Sequence, residues 1–364
     1  MKFFAAGAAI LALSSGFASL EPTQPCLERG MPINPSNIPA AYNEAAGLES
    51  ALSFSGSFIY WLAVQDNMQI AYSNALLGVG TISAYPVGSE TLIADTAFTP
   101  GFKIGVEGKS ERDHWRISGE YTRLHGSTFT SALAPVPPAG ANGTVGVWSN
   151  AWFLNTTNTT SRSTAFHWKY EFDIGDLQLS RRYYAGKNLV LEPFGGLRTA
   201  WIRQKVRATI SQVVYTSGIS NVSGSAYGLT RCWSVGPKIG LNGRWEIPLG
   251  WRVICNGYYS LLYAEYPQFS YSVDNIDGFS NPGATGIRYD YGRYSTLIPN
   301  GGLAFGFGWG SDWIDSDFNL DFSLSYEFNV FWNQNLFRKY TSVTPVPQSN
   351  LYLHGLTATG RFDF

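Results

Sequence analysis

Charged side chains in this sequence recur at every second residue. His167, Lys169, Glu171 and Asp173 alternate with Phe166, Trp168, Tyr170, Phe172 and Ile174. Lys238, Arg244 and Glu246 alternate with Trp233, Ile239, Leu241, Trp245 and Ile247, and Asp321 and Glu327 with Phe322, Leu324, Tyr326 and Phe328. A β-strand sends alternate side chains to opposite faces, so each run has one greasy and one charged face. Acids and bases gathered on a common face have the chemistry of a solvated lining, in which rings of fixed charge hold water and sort ions. The set predicted to face inward is Lys103, Glu107, Arg116, Glu120, Lys169, Glu171, Asp173, Arg198, Lys238, Arg244, Asp321 and Glu327. The same residues would also serve a narrow barrel packed shut by ion pairs.

Other chemistries find less support. The histidines are His114, His125, His167 and His354. Asp113 precedes His114, but neighbouring strand residues point apart. His125 has no evident acidic partner, and no G-x-S-x-G motif is present. No catalytic residue is assigned. The cysteines, Cys26, Cys232 and Cys255, are odd in number and have no metal-ligand spacing, so neither a disulfide scaffold nor a metal site is expected. No cofactor is implied.

The elements that must position these charges are long. From Phe318 to Trp332 the alternation is broken only by Phe331. Runs of this length exceed the five or six residues usual in soluble strands, and they carry aromatics near both ends, as interfacial girdles do. Ten strands are read, roughly 49–64, 97–108, 113–124, 162–179, 188–204, 226–247, 250–266, 294–310, 316–332 and 350–364. Short connections near 109–113, 180–188, 247–250 and 310–315 alternate with long ones near 65–96, 125–161, 205–225, 267–293 and 333–349. That is the short-turn, long-loop pattern of outer-membrane barrels, which puts the short set in the periplasm. In lipid a sheet must close, because an open edge leaves backbone groups unpaired. The expected fold is all-β: an antiparallel transmembrane β-barrel of at least ten strands and up to sixteen; Met68–Leu76 could add a pair, which leaves twelve or more open. Pro237 and Pro299 fall inside strands and are expected at rim bulges, because proline cannot donate to a ladder.

Composition agrees. Charged residues are only 14% of the 364 and aromatics are 15%, where a soluble globule carries about 25% charge. The mature chain has no run of about 18 apolar residues for a membrane helix. A net charge of −1 without a basic stripe gives nucleic acid no footprint. Lys2, the apolar run Phe3–Leu13 and the small residues before Ala18 have the layout of a cleaved signal peptide. The domain reading is therefore a signal peptide over 1–18, a proline-rich periplasmic arm over 19–47, and a barrel over 48–364.

The chain ends GLTATGRFDF. Leu356, Ala358, Gly360, Phe362 and Phe364 share one face, and the terminal aromatics resemble the C-terminal signal read by the bacterial barrel-assembly machinery. The glycine usual in that signal is here Thr359, with Gly360 adjacent. Several segments, in order, resemble the Legionella-type pore-forming major outer membrane protein family, which also occurs in chlamydia-like bacteria. They are ESALSFSGSFIYWLA, PGFKIGVEG, HWRISGEYTRLHG, LEPFGGLRTAWIRQK, GPKIGLNGRWE and GYYSLLYAEY, spanning about 49 to 266. The resemblance implies an abundant porin-like barrel in the outer membrane of a Gram-negative-type cell. The disulfide cross-linking of chlamydial porins is not supported, since Cys232 reads as lumen-facing and Cys255 as lipid-facing.

The functional expectation is a water-filled passage for ions and small polar solutes. Its partners are outer-membrane lipid and those solutes, and a homo-oligomer is left open. Two other classes stay open: a surface adhesin or structural barrel without a pore, and an outer-membrane hydrolase. Conductance discriminates the first and a nucleophile beside a histidine the second.

Overall fold

The computed structural model describes residues 52–77, 81–82, 90–109, 115–134, 145–153, 160–185, 188–215, 218–274, 287–311, 319–337 and 348–363. The expected signal peptide, the periplasmic arm, Cys26, His114 and Phe364 lie outside them.

Ten long strands form the wall: β1 Leu52–Gln65, β2 Phe98–Lys109, β3 Trp115–Leu133, β4 Thr160–Arg181, β5 Leu189–Tyr215, β6 Gly218–Glu246, β7 Trp251–Val273, β8 Tyr294–Ser311, β9 Asn319–Asn335 and β10 Ser349–Asp363. Each pairs antiparallel with its sequence neighbours, and β1 pairs with β10 from Ser53–Asp363 to Gln65–Leu351, which closes the barrel. Closure leaves no long edge unpaired, as a bilayer demands. All ten sequence-read strands are present.

The outer surface is apolar. Phe102, Ile104, Val106, Ile117, Leu197, Ile239, Leu241, Leu303, Phe305 and Leu324 are exposed on it. Aromatics bound this belt. Trp201, Trp233 and Tyr263 lie at one end, and Trp115, Trp245, Trp251 and Trp309 at the other, all exposed. Trp233 and Trp245 are twelve residues apart on β6. At ~3.4 Å per residue and a tilt of ~40°, that is about 30 Å, the thickness of a bilayer's hydrocarbon core.

A strand needs only about 9–11 residues to cross that thickness. β4 has 22, β5 has 27 and β6 has 29, so their outer halves stand clear of the membrane. The expected loop over 205–225 is instead largely the tip of the β5–β6 hairpin. The segment Gln69–Leu77 is a strand, but not a stave of the barrel. It pairs with Val145–Asn150, which continues onto β4.

Protrusion corrects one facing assignment. Phe166, Trp168, Tyr170, Phe172 and Ile174 are buried inside the barrel, and Lys169, Glu171 and Asp173 point outward. Lower on β4 the same face stays inside but the chemistry of the two faces reverses: Leu177 and Leu179 face lipid while Asp176 is buried inside. The prolines also lie elsewhere than expected. Pro237 is in register with Leu197, and Pro299 with Leu261, both within the apolar belt rather than at the rim. The β6–β7 ladder accommodates Pro237 by passing from Val235–Tyr263 to Lys238–Ser260.

Small residues make room inside. A methyl group added at Gly302 would strike the Tyr258 ring, and one at Gly308 would strike the Arg252 side chain. The inner face of β8 is thus hollowed for long side chains from β7.

Candidate functional site

The lumen has two zones. Its periplasmic part is a column of ion pairs. At its centre Asp176 on β4 is clamped by two cations. Arg198 donates Nε to Oδ1 at 2.7 Å and Nη2 to Oδ2 at 2.6 Å, and Lys238 Nζ lies 3.1 Å from Oδ2. The fork of guanidinium onto carboxylate is the strongest pairing geometry available. Arg198 also donates Nη1 to Asn300 Oδ1 at 2.7 Å, reaching from β5 to β8. The Tyr258 ring lies under both cations, 4.2 Å from Arg198 and 4.4 Å from Lys238. Beside this cluster Lys103 Nζ bonds Glu327 at 2.7 Å, faces Glu120 at 3.8 Å, and sits 5.0 Å over the Trp61 ring.

Nearer the periplasmic mouth the pairs are partly exposed. Glu107 holds Arg116, and Arg361 at 3.2 Å; Arg361 also pairs with Asp363 at 2.6 Å. Arg182 pairs with Glu192 at 3.2 Å, Arg244 with Glu246 at 2.7 Å, and Arg252 with Asp321. Signs balance between the two central clusters. Asp176 with Arg198 and Lys238 sums to +1, and Lys103 with Glu120 and Glu327 to −1.

The outer zone is apolar. Trp61, Phe166, Trp168, Tyr170, Ile202, Leu351 and Leu353 line it and are almost wholly buried. Two segments borne on outer connections fill it. Trp152 packs on Phe166 at 5.2 Å and on Phe337 at 5.9 Å between ring centroids. Asn333 takes the left-handed region, φ 57°, where the chain leaves the wall. Gln334, Leu336 and Phe337 then turn into the lumen, each about 1% exposed. Gln334 is the anchor. Its Oε1 accepts from Gln204 Nε2 at 3.0 Å and from Gln65 Nε2 at 3.4 Å, and its carbonyl accepts from Tyr266 Oη at 2.9 Å. Three strands therefore hold one residue, two by its side chain and one by its carbonyl.

Of the residues predicted to face inward, Lys103, Glu107, Arg116, Glu120, Arg198, Lys238, Arg244, Asp321 and Glu327 point into the lumen and meet there as described. Lys169, Glu171 and Asp173 do not; they lie on the outer wall. Sequence reasoning missed Asp176, the centre of the column. Its signal was available: between Ile174 and Leu177 the apolar phase of the strand changes, so Asp176 continues the face of Phe166 to Ile174 while Leu177 and Leu179 take the lipid face. It also missed Gln204 and Gln334, for which no periodic signal exists. His125 was read as lacking an acidic partner, yet its Nε2 lies 3.0 Å from Asp173 Oδ2, which is bonded by Tyr121 Oη through Oδ1 at 2.6 Å. This pair is on the outer wall. Among the described residues no group of three His, Cys, Asp or Glu side chains forms a metal cradle. Cys232 is buried and Cys255 exposed, and both are free thiols.

A closed antiparallel barrel with an apolar belt, two aromatic girdles and an inward charged column is an integral outer-membrane β-barrel. The family model described as Legionella pneumophila major outer membrane protein precursor matches residues 45–364, and the chain belongs to that family. It is accordingly a protein of the outer membrane, in contact with its lipid. A search of curated proteins finds no match. Among solved structures, the outer membrane protease OmpT from Escherichia coli is 10% identical, with 86% of this chain and 96% of that one covered at a TM-score of 0.38. A Pseudomonas aeruginosa FadL homologue is 10% identical over 90% of this chain and 92% of that one, at 0.30. The Pseudomonas putida toluene transporter TodX is 10% identical over 86% and 90%, at 0.25.

Proposed function

We propose that the chain is a narrow, gated porin: a passage for ions and small polar solutes, closed in this conformation at its outer end. The observation that carries this reading is the sign-balanced column of long charged side chains running from the periplasmic mouth to the apolar plug. A buried ion pair gains little stability over well-packed apolar side chains of the same volume. An inert filler would therefore be served as well by leucine and phenylalanine. Lysine, arginine and glutamate, by contrast, swing and rehydrate when water enters. The plug is built by segments 147–153 and 333–337, carried on connections, while the wall stays continuous beneath it. That division suits a gate. We read the protein as a non-enzyme, since the contacts of the His125–Asp173 pair among the described residues are Tyr121 and Arg123, neither an activated serine nor a cysteine. The terminal strand with Phe362 facing lipid suits recognition by the barrel-assembly machinery.

A sealed structural or adhesive barrel is the second reading. It is favoured by the Asp176 carboxylate, whose side chain is 1% exposed between Arg198 and Lys238. Planar-bilayer recording of the purified full chain separates the two. A gated porin gives brief openings in the wild type and longer ones in Gln334→Ala and Phe337→Gly, which loosen the plug. Silence of wild type and both variants, at inserted and folded protein, would overturn the pore and leave the sealed barrel.

A further inference from the structure

The outer wall of the protruding β4–β6 sheet is basic in a way the lumen function does not use. On it Lys169 and Lys205 stand directly opposite each other across the β4–β5 ladder, and Arg203 and Arg231 across the β5–β6 ladder. Like charges directly opposed on one sheet face are destabilising, so the arrangement calls for a counter-charge. The protein supplies little. Glu171 is shared by Lys169 at 3.2 Å and Arg203 at 2.9 Å. Asp173 is engaged by His125 and Tyr121, and Glu265 by Arg293 at 3.0 Å. Lys205, Arg207 and Arg231 have no carboxylate partner among the described residues. A shallow cavity of about 290 Å³ opens beside Lys205 and Arg207, lined also by His167, Lys169, Tyr227 and Leu229. Arg207 lies 5.2 Å over the Tyr227 ring, which holds its guanidinium at the cavity's side.

Height decides what the cavity meets. Arg203 and Arg231 are each two residues outward of a girdle tryptophan, Trp201 and Trp233, and Lys205 is four residues outward. With ~3.4 Å per residue and a tilt of ~40°, Arg203 and Arg231 stand about 5 Å above the girdle, Lys169 and Lys205 about 10 Å, and Arg207 about 16 Å. The site therefore reaches from the headgroup layer to just beyond its outer edge. The neighbouring wall at the same ladder positions carries Ser127 and Phe129 on β3 and Ser270 and Ser272 on β7, and the Ile287–Tyr291 strand beyond β7 carries Arg288 and Asp290, which pair with each other at 2.8 Å, so the uncompensated charge is confined to one spot. We propose that this cavity binds a phosphate group of an anionic outer-leaflet lipid, with Lys169, Lys205 and Arg207 as its ligands, Arg203 and Arg231 adding field from below, and the acyl chains lying along Trp201, Trp233 and Leu197. The proposal does not depend on whether the barrel conducts.

The test uses the full chain in neutral phosphatidylcholine nanodiscs. The probe is a bis-phosphorylated glucosamine-disaccharide lipid, compared with its dephosphorylated form, and binding is read by native mass spectrometry. Lys169→Gln/Lys205→Gln/Arg207→Gln should bind the phosphorylated probe about a hundredfold more weakly than wild type. Arg181→Gln, at the periplasmic end of β4 and twelve residues from Lys169, should bind as wild type does. Folding is checked by heat-modifiable gel migration, and Lys205→Gln alone serves if the triple variant does not fold. Equal binding by wild type and variant, or no preference for the phosphorylated probe, would overturn the proposal. Full displacement by millimolar inorganic phosphate would assign the cavity to a soluble anion and overturn the lipid. Displacement instead by an acidic polysaccharide or an acidic protein would do the same.

Discussion

Lys103 and Glu327 hold each other at 2.7 Å although β1 and β10 lie between their strands. The pair is a chord across the lumen, so each side chain's removal tests a long-range contact. Glu327→Met leaves Lys103 with only Glu120, 3.8 Å away, and should cost roughly 3 kcal/mol, as breaking one side of a buried pair does. Lys103→Met/Glu327→Met should regain most of that. Urea unfolding in liposomes checks both; a double variant as unstable as the single one would show that the pair is not the relevant unit.

Depth on the lipid face is a second prediction. Leu303 lies mid-belt and is 66% exposed, whereas Phe322 is in register with the girdle residue Trp309. Leu303→Arg should cost about 2–4 kcal/mol and Phe322→Arg about 1 or less. Ser323→Arg, on the inner face beside Gly308, should not follow this depth rule. Equal costs at 303 and 322 would place the membrane elsewhere.

The ten strands were legible because lipid imposes an apolar alternation on each stave where it crosses the bilayer, as from Phe318 to Trp332 with one break at Phe331. The closure, the belt and the inward position of Lys103 or Arg198 follow from that constraint alone. Alternation gives two faces, however, and says nothing of which faces lipid. Above the membrane water lies outside and the plug lies inside, so Phe166 to Ile174 turn inward and the phase argument inverts. The length of β4 carried the warning, since 22 residues overshoot one bilayer crossing. The plug itself was not legible. Gln334 meets Gln65 and Gln204 by a loop's tertiary path, and no local period encodes such a path.

That inversion is directly testable. In intact cells a membrane-impermeant maleimide should label Lys169→Cys quickly and Trp168→Cys hardly at all, because Lys169 is exposed and Trp168 is 1% exposed. Labelling of 168 over 169 would restore the original facing.

The native cysteines give a fourth prediction. Cys255 is in register with Gly243, eleven residues along β6 from Cys232. At ~3.4 Å per residue their separation is roughly 37 Å, against the ~4.4–6.8 Å between Cα atoms that a disulfide requires. Non-reducing electrophoresis after digestion should show no 232–255 bridge. Its presence would contradict the β6–β7 register.

The last prediction concerns the ions themselves. The central column sums to zero, with +1 around Asp176 offset by −1 around Lys103. If the lumen conducts, wild-type reversal potentials across a salt gradient should show little preference between cations and anions. Removing one charge unbalances the column in a known direction. Glu327→Gln brings the Lys103 cluster to zero, leaves the +1 around Asp176 without its offset and should shift selectivity toward anions, while Lys103→Gln deepens the negative cluster and should shift it toward cations. The two variants remove opposite ends of one contact, so a general loosening of the barrel would move both the same way. Screening provides the internal control. The Debye length is about 10 Å at 0.1 M and about 3 Å at 1 M, so both shifts should shrink in concentrated salt. Arg244→Gln, at the periplasmic mouth beside Glu246, should shift selectivity less than either. Conducting variants whose reversal potentials match wild type, or move together, would remove the column from the ion path.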